Sequence, residues 1–114
     1  MKYMLAIFGN REYWESFAPD DFAQMVDGHA KFDKEVRASG EFVSVAGLDF
    51  EDLVKTVHVQ NGETVVTDGP FLETKEFLAS YYIVETETIE RAIELAAKLP
   101  SASMNGVRVW PLMK

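Results

Sequence analysis

Cysteine is absent from this chain of 114 residues, so neither a disulfide framework nor a thiolate site is available to it. Long hydrophobic runs are absent as well, since no apolar stretch approaches the roughly 20 residues needed to span a bilayer. The N-terminal segment MKYMLAIFGNREYW has one Lys and a short apolar run, but no small-residue cleavage site of a signal peptide. These absences predict a cytoplasmic protein that has no membrane partner.

Basic residues are scarce: 11 Lys and Arg stand against 19 Asp and Glu, which gives a net charge of −8. Proteins that bind nucleic-acid duplexes gain most of their affinity by placing Lys and Arg on phosphates. Here the basic residues form neither a stripe nor an Arg-rich helix, so direct nucleic-acid binding is not expected.

Motifs for common cofactors are missing too: there is no Walker loop, GxGxxG, GxSxG or HExxH. A metal site built from His29, His58 and a carboxylate has no close-spaced ligand pair to support it. We therefore predict no cofactor and no metal.

What is present is the composition of one globular domain over residues 1–114, with 47% hydrophobic and 26% charged residues. Strand-length apolar runs and two helical stripes follow one another in the order β-α-β-β-(β)-β-α-β. Asn61-Gly62 is a strong signal for a two-residue hairpin that joins residues 54–60 to 63–67. The sequence thus predicts an α+β fold, ferredoxin-like βαββαβ with an added β-hairpin.

Each predicted helix has a stripe expected to face the sheet. The first helix should begin at Pro19, after the loop NREYWESFAPDD, and end at Gly40. Its stripe comprises Phe22, Met25, His29, Phe32 and Val36. The second helix should stop at Pro100, and its stripe comprises Ile89, Ala92, Ile93, Ala96 and Leu99.

Residues 3–8 and 78–84 are apolar on both faces of their predicted strands. A sheet that leaves one face in water should instead alternate apolar with polar residues. The second face must therefore be covered, and a partner sheet is the economical cover. This pattern predicts a homodimer whose sheets pack face to face.

The blocks TDGPFLETKEFLASYY, MKYMLAIFG and VRVWPL resemble, in their order, the DGPF branch of the YCII-related family. The resemblance implies a ferredoxin-like fold that dimerises into an α+β barrel. Most members of that family have no assigned activity. Some resembling domains are joined to sigma factors or encoded beside them, and a few relatives are linked to small-molecule breakdown.

The resemblance also implies a catalytic histidine on the first helix, followed by a Gly and a strand. In GHAKFDKEVRASGEF the matching positions are His29 and Gly40. Imidazole titrates near neutrality and suits an acid or base, although a core histidine would fit the same stripe. The family's partner is an Asp in a DP pair after the second helix, where this chain has Leu99-Pro100. Asp68 is the substitute that the sequence offers.

The Asp68-Gly69-Pro70 segment is explained by a rigid turn, because Gly69 can adopt a positive φ. A turn does not require Phe71, Glu73 or Lys75. Phe71 is therefore a candidate for the wall of a cavity, and Glu73 and Lys75 are candidates for binding an ionic group of a ligand. The alternative is a solvated charge cluster beside a Phe that fills the barrel end.

Two functions remain open at this point. In the first, a small molecule binds or reacts in a cavity near His29. His29 and Asp68 would be the catalytic pair, and the side chains of Phe71, Glu73, Lys75 and Tyr82 would contact the substrate. In the second, the chain is a non-catalytic accessory or regulatory dimer, a sigma-factor-associated sensor or a dimerisation module. The sequence leaves the choice between enzyme and binding protein undecided.

Overall fold

The structure is a computed structural model that describes residues 1–69 and 76–114. Its helices and strands follow in the order β1 (Lys2–Asn10), α1 (Arg11–Glu15), α2 (Pro19–Ser39), β2 (Phe42–Gly47), β3 (Lys55–Gln60), β4 (Glu63–Asp68), β5 (Glu76–Glu85), α3 (Ile89–Ala97) and β6 (Val107–Pro111). Short 3₁₀ turns occupy Glu51–Leu53 and Pro100–Ser103. Within the described part of the chain, no helix combines the length and apolarity needed to cross a membrane.

Four strands form an antiparallel sheet in the order β2-β5-β1-β6, while β3 and β4 form a separate two-stranded sheet. The arrangement confirms the predicted ferredoxin-like α+β fold with an added hairpin. The hairpin turn is also as predicted, because Asn61 and Gly62 both have positive φ, 52° and 78°. Such a pair matches the right-handed twist of the flanking strands.

The hydrophobic core lies between one face of the four-stranded sheet and the two longer helices. Phe32 of α2 meets Tyr82 of β5 edge to face, with ring centroids 4.8 Å apart at 74°. Full burial of a Leu or Phe stabilises a fold by about 1.5–3 kcal/mol. The core comprises Tyr3, Leu5, Ile7, Phe32, Val36, Tyr82, Val84, Ala92, Leu95, Ala96 and Leu99.

An ion pair joins α3 to the residue that precedes β2. The Arg91 guanidinium donates to both carboxylate oxygens of Glu41, each at 2.9 Å. These hydrogen bonds hold the pKa of Glu41 below its usual value, against the opposing effect of its desolvation. The predicted end of α2 is confirmed next to this pair, since Gly40 adopts the left-handed conformation at φ 82°.

Four sequence predictions are wrong in detail. Phe22, Ile89 and Ile93, predicted to face the sheet, are exposed by 57%, 37% and 51%. The buried residues of α2 are Phe32 and Val36 alone, and α3 buries Ala92, Leu95 and Ala96. Residues 11–15, predicted as a loop, form α1, whose first turn is capped by Asn10 accepting a hydrogen bond from the Tyr13 amide at 3.1 Å.

The hairpin corrects a further expectation. His58 is out of phase with Val57 and Val59 along its strand, which predicts an exposed His58. Instead, Val57 and Val59 are 58% and 71% exposed, whereas His58 is partly buried. All strand residues of the hairpin apart from Thr56 and His58 are exposed. The valine face of the hairpin therefore has no cover from the described residues of its own chain.

The opposite face of the four-stranded sheet, which we call the open face, is covered by neither α2 nor α3, whose buried residues pack with Tyr3, Leu5 and Ile7 on the other side. The molecule is 18 Å thick along its shortest axis, and its radius of gyration of 16.3 Å exceeds the roughly 13 Å expected for a compact chain of this length. Trp110, which pairs with Met4 in the ladder, is 55% exposed there. The apolar side chains that the sequence places on both strand faces thus reach solvent on one side.

Candidate functional site

His29 lies on α2 and is half-buried. Burial penalises the imidazolium and lowers the pKa of His29 below 6.5. The shift favours the neutral ring, which is the form that accepts a proton.

The backbone beside His29 is approached closely by its own chain. A β-carbon added to Gly28 would lie 2.6 Å from Cγ of Pro100. The glycine in mid-helix is therefore explained by packing against the turn that follows α3. Leu99, at the position where the resembled family has its Asp, is 2% exposed in the core.

Asp68 has a partner other than His29. It is exposed at the end of β4 and forms an ion pair with Lys55, its partner across the hairpin. Within the described ranges, no hydrogen bond or ion pair joins Asp68 to His29. The structure therefore does not bring the two predicted catalytic residues together.

Tyr82 points into the helix-side core, where it is 5% exposed. Burial, and then the nearby Asp33 carboxylate, raise the pKa of Tyr82. Its neighbour Tyr81 is on the open face, opposite Ala6 and Ala46 in the ladder, and is partly exposed. Strand alternation predicts that the two tyrosines face opposite sides, but it does not tell which side each faces.

Phe71, Glu73 and Lys75 lie outside the described residues. Before that segment, Gly69 has the predicted positive φ, at 82°. Its amide donates to the Val54 carbonyl at 2.6 Å, and its own carbonyl accepts from the Thr56 hydroxyl at 2.7 Å.

A groove runs along the N-terminal half of α2, and His29 is not among the residues that line it. It encloses about 410 Å³ between α1, α2 and the Pro100–Ser103 turn. Met25, one helical turn before His29, contributes to its wall, and Pro100 lines the same groove. Its other lining residues are Tyr13, Ser16, Phe17, Asp21, Gln24, Ser103 and Met104.

A second cavity, the open-face cleft, encloses about 830 Å³ at the end of the sheet where β1 finishes and β5 begins. The connection between β2 and β3 contributes part of its lining. Neither His29, Asp68 nor Tyr82 belongs to that lining. The cleft is lined by Phe8, Asn10, Leu48, Asp49, Glu51, Val54, Glu76, Phe77, Leu78 and Arg108.

Arg108 is the cation among the described residues that line the open-face cleft. Its guanidinium carbon lies 4.1 Å from the centroid of the Phe8 ring, and its Nη2 lies 4.0 Å from a carboxylate oxygen of Glu76. A distance of 4.0 Å is an ion pair without a hydrogen bond. Arg108 donates no hydrogen bond to any residue in 1–69 or 76–114, so its fork remains open to a ligand.

Glu51 supplies a carboxylate from the 3₁₀ turn in the β2–β3 connection. Its Oε2 is buried and lies 3.7 Å from the Arg11 guanidinium, which instead donates a hydrogen bond of 3.1 Å to Asp52. The Glu51 carboxylate accepts no hydrogen bond from the residues described, and 28% of its side chain remains exposed. Sequence reasoning missed Arg108 and Glu51, since neither stands in a recognisable motif.

The arrangement offers an apolar cleft with charged groups of both signs and, separately, a half-buried imidazole on the helix that borders the groove. Among residues 1–69 and 76–114, no three His, Asp or Glu side chains converge as a metal site. Binding of an organic molecule is the chemistry that the open-face cleft suits best.

Comparison with known proteins identifies the family. The chain is similar to an uncharacterised protein of Rhizobium meliloti (strain 1021), with 25% identity over 114 residues that cover 98% of this chain and 92% of the relative. A family model for the YCII-related domain matches residues 1–114. This chain therefore belongs to the YCII-related family.

Proposed function

We propose that the protein is a homodimer that binds a small organic molecule in the open-face cleft of each subunit. The observation that carries the proposal is the cleft itself. Its volume of about 830 Å³ is in the range of ligand sites, roughly 300–1,000 Å³. Apolar side chains supply half of its lining, and a few charged groups supply the means of orienting a ligand.

The DGPF segment supplies further proposed ligand contacts. Gly69, just before residues 70–75, is hydrogen-bonded to Val54, and Glu76, just after them, lines the cleft. We keep Phe71, Glu73 and Lys75 as proposed ligand contacts on the strength of their sequence pattern alone. The Asp68-Gly69-Pro70-Phe71 block is our basis for proposing the DGPF branch of the family.

The homodimer follows from the uncovered open face. Monomers usually expose contiguous apolar patches of no more than a few hundred Å². A second copy packed on Trp110 and its neighbours would cover this face with an equally apolar surface and close an α+β barrel. The cleft would then lie at the edge of the interface between the sheets.

An enzyme remains the second candidate, favoured by the half-buried His29 imidazole on α2, whose N-terminal half borders the groove. In that case His29 would accept a proton on its own, because neither Asp68 nor residue 99 supplies a partner carboxylate. A non-catalytic sensor would bind its ligand in the open-face cleft without a chemical reaction. Such a sensor needs fewer functional groups than an enzyme.

Fluorescence of the neutral apolar dye N-phenyl-1-naphthylamine tests the proposed site. We expect saturable binding to the wild-type protein and a loss of about tenfold or more in affinity for Val54→Trp, because the indole would fill the cleft. Val26→Trp is the matched control: Val26, on α2 outside the cleft, is 52% exposed and Val54 is 42% exposed. Equal affinities of the two variants for the dye would contradict the proposed site.

A further inference from the structure

We infer that the open-face cleft selects amino-carboxylic acids, ligands that carry a carboxylate and an ammonium group on an apolar body. The inference rests on the proposed function and adds the chemical class of the ligand. It depends on two charged groups of opposite sign, Arg108 and Glu51, that line the same cavity from separate segments of the chain.

Arg108 is prepared to receive a carboxylate. The ring of Phe8 supports the face of its guanidinium at 4.1 Å, which fixes the plane of the fork. Glu76 balances its charge at 4.0 Å without occupying the N–H groups of Arg108 by a hydrogen bond. A ligand carboxylate can take two parallel hydrogen bonds from such a fork, the geometry for which Arg is the best suited side chain.

The β2–β3 connection supplies the negative charge that a ligand ammonium group would bind. Arg11 is shared between Glu51 at 3.7 Å and Asp52 at 3.1 Å, so one guanidinium serves two carboxylates. Asp49, also in the cleft lining, accepts the amide of Phe50 at 2.8 Å but has no ion pair with a residue in the described ranges. This side of the cleft thus has an excess of negative charge, and the Glu51 carboxylate keeps its capacity to accept a donor.

A ligand with a single charge meets only one of these groups and leaves the other with its protein ion pair alone, either Arg108 with Glu76 or Glu51 with Arg11. A ligand that carries both charges makes charge-assisted hydrogen bonds to both groups, so the pair favours it over simple amines and simple acids. Phe8, Leu48, Val54 and Leu78 supply apolar surface for the remainder of the ligand. An ammonium and a carboxylate joined by an apolar body match all three features.

Titration calorimetry with 8-aminooctanoate, octanoate and octylamine tests the inference on the wild-type protein. The three compounds share one flexible apolar chain, which lets the two charges of 8-aminooctanoate adjust to the spacing of Arg108 and Glu51. We expect 8-aminooctanoate to bind about tenfold or more tightly than either compound with one charge. Equal or weaker binding of 8-aminooctanoate would overturn the inference.

Two charge-neutralising variants identify the groups. Arg108→Gln should weaken 8-aminooctanoate and octanoate about tenfold and leave octylamine no weaker, whereas Glu51→Gln should weaken 8-aminooctanoate and octylamine and leave octanoate no weaker. The same loss for every compound, or no loss, contradicts the assignment. Retained binding of N-phenyl-1-naphthylamine in both variants shows that the cleft is intact, so the ligand class can fail while the proposed function stands.

Discussion

Pro100 packs against the backbone of Gly28, closely enough that a β-carbon at position 28 would lie 2.6 Å from Cγ of the proline ring. The contact joins the middle of α2 to the turn after α3, next to His29. The absence of a side chain at position 28 is therefore a packing requirement of this fold.

Gly28→Ala should destabilise the protein, although alanine gains about 1 kcal/mol over glycine in a helix interior. The clash with Pro100 forces the ring or the helix to move, and overpacking of this kind costs about 1–3 kcal/mol. In a Pro100→Ala background the clash is gone, since Cβ of residue 100 lies at 3.8 Å. In the Pro100→Ala background, Gly28→Ala should therefore stabilise the protein. Urea unfolding of the four proteins measures the coupling, and the same effect of Gly28→Ala in both backgrounds would refute it.

The buried imidazole of His29 should make the protein sensitive to mild acid. Its folded pKa is lowered from 6.5, so below pH 6.5 the unfolded chain binds a proton that the folded chain resists. The free energy of unfolding should therefore fall as pH decreases from 6.5 towards the folded pKa. In His29→Gln, which does not titrate, this decrease should be absent. Urea unfolding between about pH 5 and 8 gives the comparison.

In that experiment, Glu41 affects the free energy of unfolding in a lower pH range than His29 does. Its folded pKa is lowered from 4.5 by Arg91, so its contribution is present above pH 4.5 and is lost as pH falls through the folded pKa. Wild-type and His29→Gln should thus share the acid transition below pH 4.5. If the free energy of unfolding still decreases between pH 6.5 and 4.5 in His29→Gln as it does in the wild type, the imidazole is not the cause of the decrease.

The protein should be a homodimer in solution, with a mass by light scattering of twice 12.9 kDa at micromolar concentration. Trp110→Asp places a carboxylate on the open face and should shift the mass to that of one subunit, because the charge would be desolvated in the interface. Val26→Asp is the control on the helix side, where Val26 is similarly exposed. A wild-type mass of one subunit would contradict the proposed barrel.

Local patterns predicted the fold well, because each signal concerns residues close in sequence. Asn61-Gly62 requires a particular turn, and Gly40 requires the left-handed end of α2, so both could be assigned without the tertiary structure. The stripe of α2 was only half correct. Periodicity gives the direction in which Phe22 and Phe32 point, but it does not tell where the sheet beneath them ends.

The candidate site could not be predicted in the same way, because it is built from residues distant in sequence. A glycine in mid-helix such as Gly28 indicates that something approaches the helix closely, but the sequence does not tell that Pro100 of the same chain does so. The open-face cleft joins Phe8 and Arg108, from the first and last strands, to Glu51 in a connection between strands. No spacing rule relates these positions, so only the assembled sheet reveals them.

The β3–β4 hairpin has a kinetic consequence. Its strands bond to each other, and two-stranded hairpins without a packed face are marginally stable in water. Amide protons of residues 55–68 should consequently exchange with solvent through local opening, at rates independent of global unfolding. Slowing of that exchange as protein concentration rises would mean that a neighbouring subunit holds the hairpin closed, so the hairpin is a built-in reporter of association.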